Sequence, residues 1–161
     1  METIGDYAFY NCAGLESAHL NTVTSIGEYA FCDCTALESV TLGNGIETIG
    51  ECAFGGCNAL DGVYYYGTDS QWASINFYDA DANPLAYAGN LYIGISNLTT
   101  NITIEGITEI SDYAFYGCTS LTSVTIESGV TSIGDYAFYG CTNLISITYP
   151  SGISIGLKAF G

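Results

Sequence analysis

Seven cysteines, one histidine and seventeen carboxylates are the side chains of this 161-residue sequence equipped for chemistry, and they stand beside a single basic residue, Lys158. Five cysteines recur in one slot. Cys12, Cys34, Cys57, Cys118 and Cys141 each stand ninth from an isoleucine, in Ile4-Gly-Asp-Tyr-Ala-Phe-Tyr-Asn-Cys12 and in the equivalents opening at Ile26, Ile49, Ile110 and Ile133. Segments stacked at the roughly 5 Å spacing of neighbouring strands would bring these thiols into one inward-facing column. Zinc requires clustered Cys or His ligands, a spacing not found here, so the column reads as free buried thiols with no metal. Cys32 and Cys52 fall outside it. Cys32 takes a position that holds Tyr10, Tyr116 and Tyr139 elsewhere, which places it near the surface, and Cys52 takes the place of Tyr7, Tyr29, Tyr113 and Tyr136. A Cys32–Cys52 bond is conceivable because the two lie on adjacent coils, but their slots differ. An odd count without a clear pairing fits a weakly oxidising setting.

His19 is the lone histidine. A hydrolytic triad would need a carboxylate and an activated hydroxyl converging on it, and no nucleophile elbow or metalloprotease motif accompanies it. No catalytic residue is assigned. The acids form a second column, Asp6, Glu28, Glu51, Asp112 and Asp135, one per unit just ahead of the Ala-Phe pair. A carboxylate there suits the positive end of a short turn, whereas Ca²⁺ needs six to eight oxygens that one acid per coil does not supply. Asp79-x-Asp81-x-Asn83 opens like a calcium loop, but Pro84 stands where glycine is required and the closing Glu is missing. No glycine-rich phosphate loop is present, and no cofactor is implied. Asn97-Leu98-Thr99 and Asn101-Ile102-Thr103 match the glycosylation triplet, which matters only in a eukaryotic secretory pathway.

The elements that carry these columns come from the repeat itself. Ile starts recur every 22 or 23 residues, with one interval of 61, and a sixth unit opens at Ile155 with Gly156, Ala159 and Phe160. After each Cys comes a Leu and then an alternating apolar pair, as in Leu37, Val40, Leu42 and Leu121, Val124, Ile126. Period-two alternation makes a short strand with one face inward, and the Ala-Phe pair sits in a one-turn helix or bend on the opposite side. One unit cannot close a core, but stacked units bury a continuous one. The predicted fold is an α/β repeat solenoid with short parallel strands on its concave face and short helices or turns on the convex side. Composition agrees. With 48% apolar and only 11% charged residues the chain is no disordered acidic tail, and a net charge of −16 excludes a nucleic-acid binder, which needs a cationic surface. No segment approaches the roughly 20 apolar residues of a membrane span. Met1-Glu2-Thr3 runs straight into patterned sequence without a signal peptide.

The unit Ile133-Gly-Asp-Tyr-Ala-Phe-Tyr-Gly-Cys-Thr-Asn-Leu-Ile-Ser-Ile147, with its Ala-Phe-x-x-Cys-x-x-Leu core, closely resembles the BspA-like leucine-rich repeat of bacterial and protist surface proteins. The resemblance covers most of the chain, departing in the middle and at Cys52. It implies a right-handed curved leucine-rich-repeat array, extracellular or attached to a cell surface, that works in adhesion and partner binding rather than catalysis.

On this reading residues 1–66 hold three N-terminal repeats, 67–101 a variant repeat and 102–161 the C-terminal repeats, the last one truncated. In the variant segment Val63-Tyr64-Tyr65-Tyr66 occupies the strand position of the third unit. Asp69 is the expected N-cap of a short helix through Gln71, Trp72 and Ala73, and Pro84 the start of another. Leu91-Tyr92-Ile93 and Ile102-Thr103-Ile104 read as strands. Alternation then faces Ser17 and His19, Ser39 and Thr41, Tyr64 and Tyr66, Thr103 and Glu105, Ser123 and Thr125, and Ser146 and Thr148 outward on the concave side. His19, Thr41, Tyr64, Tyr66, Trp72, Thr103, Thr125 and Thr148 are the candidate ligand-binding residues, with tyrosine and tryptophan offering stacking faces for sugars and anchors for proteins. The expected function is a noncatalytic recognition module for an extracellular protein or glycan. The alternative is a rigid spacer in a longer surface protein. Units that open and close in mid-repeat without polar caps leave end-to-end association open as well.

Overall fold

Each regular unit folds as one coil with two strands, because the residues around its opening isoleucine form a second strand besides the one that follows its cysteine. The computed structural model describes residues 2–94 and 97–161, so Met1, where the reading of the N-terminus begins, lies outside it. Its strands are β1 (Glu2–Ile4), β2 (Ser17–Leu20), β3 (Val23–Ile26), β4 (Ser39–Leu42), β5 (Thr48–Ile49), β6 (Gly62–Tyr65), β7 (Asn76–Phe77), β8 (Leu91–Ile93), β9 (Asn101–Ile104), β10 (Glu109–Ile110), β11 (Ser123–Ile126), β12 (Ser132–Ile133), β13 (Ser146–Thr148) and β14 (Ser154–Ile155). Two short helices, α1 (Asp69–Ala73) and α2 (Leu85–Ala88), and a 3-10 turn at Ala80–Ala82 lie in the variant segment.

All strand pairing is parallel and runs from coil to coil. The post-cysteine strands form one row, β2-β4-β6-β8 and then β9-β11-β13; the isoleucine strands form a second, β1-β3-β5-β7 and then β10-β12-β14. Both rows break at the same place, between the variant segment and the C-terminal repeats. In-register pairing stacks like on like: Val40 lies beside Val63 and Leu42 beside Tyr65. Val40, Leu42, Val63, Tyr65, Val124 and Ile126 point into the core, while Ser39, Thr41 and Tyr64 alternate outward. The phenylalanines form near-parallel stacks, with Phe9–Phe31 at 5.1 Å, Phe31–Phe54 at 5.3 Å, Phe115–Phe138 at 5.1 Å and Phe138–Phe160 at 5.4 Å between centroids.

Of the helix or bend open to the Ala-Phe segment, the chain takes the bend. The slot-four residue is left-handed in every unit, with φ between 47° and 59° at Tyr7, Tyr29, Cys52, Tyr113, Tyr136 and Lys158. A non-glycine residue there costs about 1–2 kcal/mol. The cost is offset because the bend aims its N–H groups at the next coil: Tyr7 N–H donates to Glu28 O at 2.9 Å, Phe9 N–H to Ala30 O at 2.8 Å and Asn11 N–H to Cys32 O at 2.8 Å. Coils this close leave no room at Gly43, where an added Cβ would fall 1.9 Å from the backbone oxygen of Asn21. Gly43→Ala is therefore expected to destabilise the chain by about 1–3 kcal/mol, the range for overpacking, read from the urea midpoint. An unchanged midpoint would mean that the coils separate without cost.

Candidate functional site

The strand register draws four outward positions into line: His19 pairs with Thr41, Thr41 with Tyr64, and Tyr64 with Tyr92. The Tyr64 and Tyr92 rings stack at 4.6 Å with 15° between their planes. His19, Ser39, Thr41, Tyr64 and Tyr66 line one open depression of about 340 Å³, and Tyr66 is 48% exposed. The imidazole of His19 makes no hydrogen bond among the described residues, and hydroxyls but no carboxylate share the depression with it. On the far side of the sheet break, Thr103, Thr125 and Thr148 form a second outward row in register. Seven of the eight candidate residues thus lie on the outward positions of the strand row, in two groups separated by the break.

Trp72 is the exception and a correction to the sequence reading. It is fully buried; its indole N–H donates to Ala114 O at 2.7 Å and its ring packs edge-on against Tyr65 at 5.2 Å. Residues Trp72 and Ala73 are the two buried positions of α1, so the helix turns its indole into the core to close the variant coil. Thr68, not Asp69, caps that helix: its hydroxyl accepts from Gln71 N–H and Gln71 returns a bond to Thr68 N–H, a full capping box. Asp69 instead reaches across the break, its Oδ2 accepting from Thr103 N–H at 2.9 Å, and Ser70 Oγ accepts from Glu105 N–H at 2.9 Å. These two side chains supply the edge of β9 with the acceptors a neighbouring strand would have offered. Tyr92 was missed as a site residue, although its place in Leu91-Tyr92-Ile93 gave it the alternation of Tyr64.

The reactive side chains are spent on structure. Cys34, Cys57 and Cys141 donate their thiols to Phe9 O, Phe31 O and Phe115 O at 3.1–3.2 Å, one coil back in each case. Burial raises the Cys57 thiol to about 12 and the Cys118 thiol to about 11, so both stay protonated and unreactive at neutral pH. Cys12, on the first coil, is exposed. Cys32 is buried, which corrects its placement near the surface. The reason lies at Cys52 and Gly55, which replace the usual tyrosines of the third unit. Their small size admits the variant segment, which places Asp81 Oδ2 at 3.8 Å from Cys52 Sγ and bonds Asp81 Oδ1 to the Tyr87 hydroxyl at 2.8 Å. All seven cysteines are free. Among the described residues no three His, Cys, Asp or Glu side chains are grouped to hold a metal ion.

The acid column works on the backbone: Asp6 Oδ1 accepts from Glu28 N–H, Asp112 Oδ1 from Asp135 N–H and Asp135 Oδ1 from Leu157 N–H. Asp79 caps the 3-10 turn by accepting from Ala82 N–H at 2.7 Å, and buried Asn83 donates to Tyr113 O and Ala114 O. Asp79 and Asn83 thus serve the fold. Among the described residues no helix is long and apolar enough to cross a membrane.

Comparison with known proteins agrees with this architecture. A leucine-rich-repeat protein of T. pallidum is 27% identical, with a TM-score of 0.54 over 96% of this chain and 66% of that one. A leucine-rich repeat protein of Bacteroides ovatus is 24% identical, with a TM-score of 0.52 over 96% of this chain and 43% of its own. A leucine-rich cell surface protein of Faecalibacterium prausnitzii is 21% identical, with a TM-score of 0.44 over 96% and 52%. The chain therefore spans less than two-thirds of the length of each. No curated protein matches significantly. The model of the BspA type leucine-rich repeat region matches six copies, over residues 2–80 and 90–161, and so the chain belongs to the BspA-type leucine-rich repeat family.

Proposed function

We propose that this chain is a noncatalytic recognition module that binds an extracellular protein or glycan at a cell surface through its strand-lined face. Repeats of this type generally serve as protein-interaction or structural modules. The observation that carries the binding reading is the aromatic end of the outward row, the Tyr64–Tyr92 stack with half-exposed Tyr66 beside it, set over a depression that reaches His19. Rings held rigidly by paired strands present area at little entropic cost, which suits a sugar face or a protein anchor. The net charge of −16 favours partners that present lysine and arginine. The family supports the surface setting of this reading.

The test is binding of the chain, at physiological salt, to a panel of glycans and extracellular proteins, repeated with Tyr64→Ala plus Tyr66→Ala. A saturable ligand that loses about tenfold or more in affinity on that double substitution is the expected result, as for aromatic anchors elsewhere. A ligand indifferent to it would overturn this face as the site, and silence across the panel would favour the rigid spacer.

A further inference from the structure

The Tyr64 ring is held on two sides and open on a third. Tyr92 stacks on one face at 4.6 Å. The ring also lies back over Gly62, where an added Cβ would fall 3.1 Å from its Cε2 and 3.2 Å from its hydroxyl oxygen. Its other face looks across to β4, where Thr41 is the register partner of Tyr64 and Ser39 that of Gly62. Both are too small to cover a ring, so this face borders the depression that Tyr64 shares with His19, Ser39, Thr41 and Tyr66.

The polar atoms around that face are unspent. The hydroxyls of Ser39, Thr41, Tyr64 and Tyr66 and the imidazole of His19 make no hydrogen bond among the described residues. The counterpart of Ser39 in the second row is occupied, Ser123 Oγ donating to Asn101 Oδ1 at 2.6 Å. Hydroxyls and a neutral imidazole both donate and accept.

The charge and polarity of the lining select among ligands. Seventeen carboxylates are spread over the chain, yet none lines the depression, and Lys158 is on the last coil. An ammonium or guanidinium therefore finds no carboxylate here, and an anion finds no lysine or arginine. No aliphatic side chain lines the depression either, so the apolar anchor of a protein partner would meet hydroxyls on every side but the rings.

We propose that this depression binds an uncharged pyranose ring of a glycan, its C–H face stacked on the open face of Tyr64 and its hydroxyls paired with Ser39, Thr41 and His19. Such a sugar joins a flat patch of C–H bonds, which suits an aromatic face, to a rim of groups that donate and accept. A volume of about 340 Å³ is at the small end of ligand sites, the scale of a short saccharide. The inference rests on the recognition face proposed above and narrows its ligand from protein or glycan to a neutral sugar.

The experiment is a titration of the isotope-labelled chain, followed by NMR, with four neutral disaccharides: cellobiose, lactose, mannobiose and N,N′-diacetylchitobiose. Digalacturonic acid serves as the charged control and sorbitol as a polyol without a ring. At least one neutral disaccharide is expected to shift the amides of His19, Thr41, Tyr64 and Tyr66 saturably, and both controls to leave them in place. Tyr64→Ala should weaken binding about tenfold, the stacking contribution. Thr41→Val keeps the shape of the strand and removes only a hydroxyl, and should weaken binding about fivefold. Thr125→Val, the same change in the second row, should alter it less than about twofold. Silence with all four disaccharides, shifts with sorbitol or digalacturonic acid equal to those with the neutral sugars, or unchanged affinity in Thr41→Val would each overturn the proposal. Silence here, with a protein ligand that is lost in Tyr64→Ala plus Tyr66→Ala, would overturn the sugar and leave the recognition face standing. Sugar binding indifferent to Tyr64→Ala would overturn both.

Discussion

Trp72→Ala is expected to lower the unfolding free energy by roughly 3–5 kcal/mol, the range for deleting a buried aromatic, and to split one cooperative transition into two. Elsewhere each coil is held to the next by both strand rows and by the N–H groups of its bend. At the break both rows stop, and side chains join two backbone bonds, Ser111 N–H to Ala73 O and Ser120 N–H to Gly89 O, in holding the halves together. Trp72 Nε1 donates to Ala114 O at 2.7 Å, and Asn83 Nδ2 donates to the same oxygen at 3.0 Å and to Tyr113 O at 2.8 Å. Stacked repeats unfold together only while each interface is strong enough to couple its neighbours. Removing the indole leaves a cavity and one lost bond at the interface where the strand rows are interrupted. Urea unfolding followed by circular dichroism and tyrosine fluorescence will show it, with Trp72→Phe recovering most of the packing but not the bond, a loss of about 1–2 kcal/mol. A single transition at the original midpoint in Trp72→Ala would mean that the halves are coupled by other contacts.

Alkali is expected to unfold this chain well before it would unfold a protein without buried thiols. Burial raises the thiol pKa of Cys118 to about 11 and of Cys57 to about 12, and raises those of Cys34 and Cys141 as well. In the unfolded chain a thiol loses its proton at about pH 8.5–9. Below that pH both states keep the proton and stability is flat. Between there and the native values the unfolded state releases protons that the native state retains, so stability falls as pH rises. Cys118 alone accounts for about 2 kcal/mol of loss by pH 11, and Tyr65, raised to about 12, joins from about pH 10. Urea midpoints at pH 7.5, 8.5, 9.5 and 10.5 give the slope, and Cys118→Ala should reduce it. A midpoint constant to pH 10.5 would show that the thiols are wetter than their burial indicates.

The solenoid was legible because its signal is redundant. Six opening isoleucines, five aligned cysteines and the apolar alternation after them all specify one coil, and the inward and outward sides of β4 and β11 fell as that alternation required. The isoleucine strands were harder to read. With two residues in β5, β10, β12 and β14 they are too short to show period two. The variant segment has no second copy to compare with. Trp72 stands in a five-residue helix, too short for periodicity to reveal which side faces the core. The burial of Cys32 depended on a partner some 50 residues away, Asp81 with its neighbours, which fills the space left by Cys52 and Gly55. Of the candidate site, strand parity supplied His19, Thr41, Tyr64, Tyr66 and the three threonines. The unpaired hydroxyl of Tyr65 was out of reach, since parity marks Tyr65 as core and says nothing of whether its hydroxyl finds a partner.

The single lysine carries a consequence for how this molecule is degraded. Lys158 takes a left-handed position in the last coil, φ 47°, with its ammonium 6.0 Å from the centre of the Tyr136 ring. Proteases of the trypsin class cut after lysine or arginine, and in 161 residues they find one bond, Lys158–Ala159, whose alanine is buried. Within these residues such an enzyme finds no other bond to cut, whether the coils are stacked or unwound. Against that class of protease the chain is protected by composition, and its folding stability is not called upon.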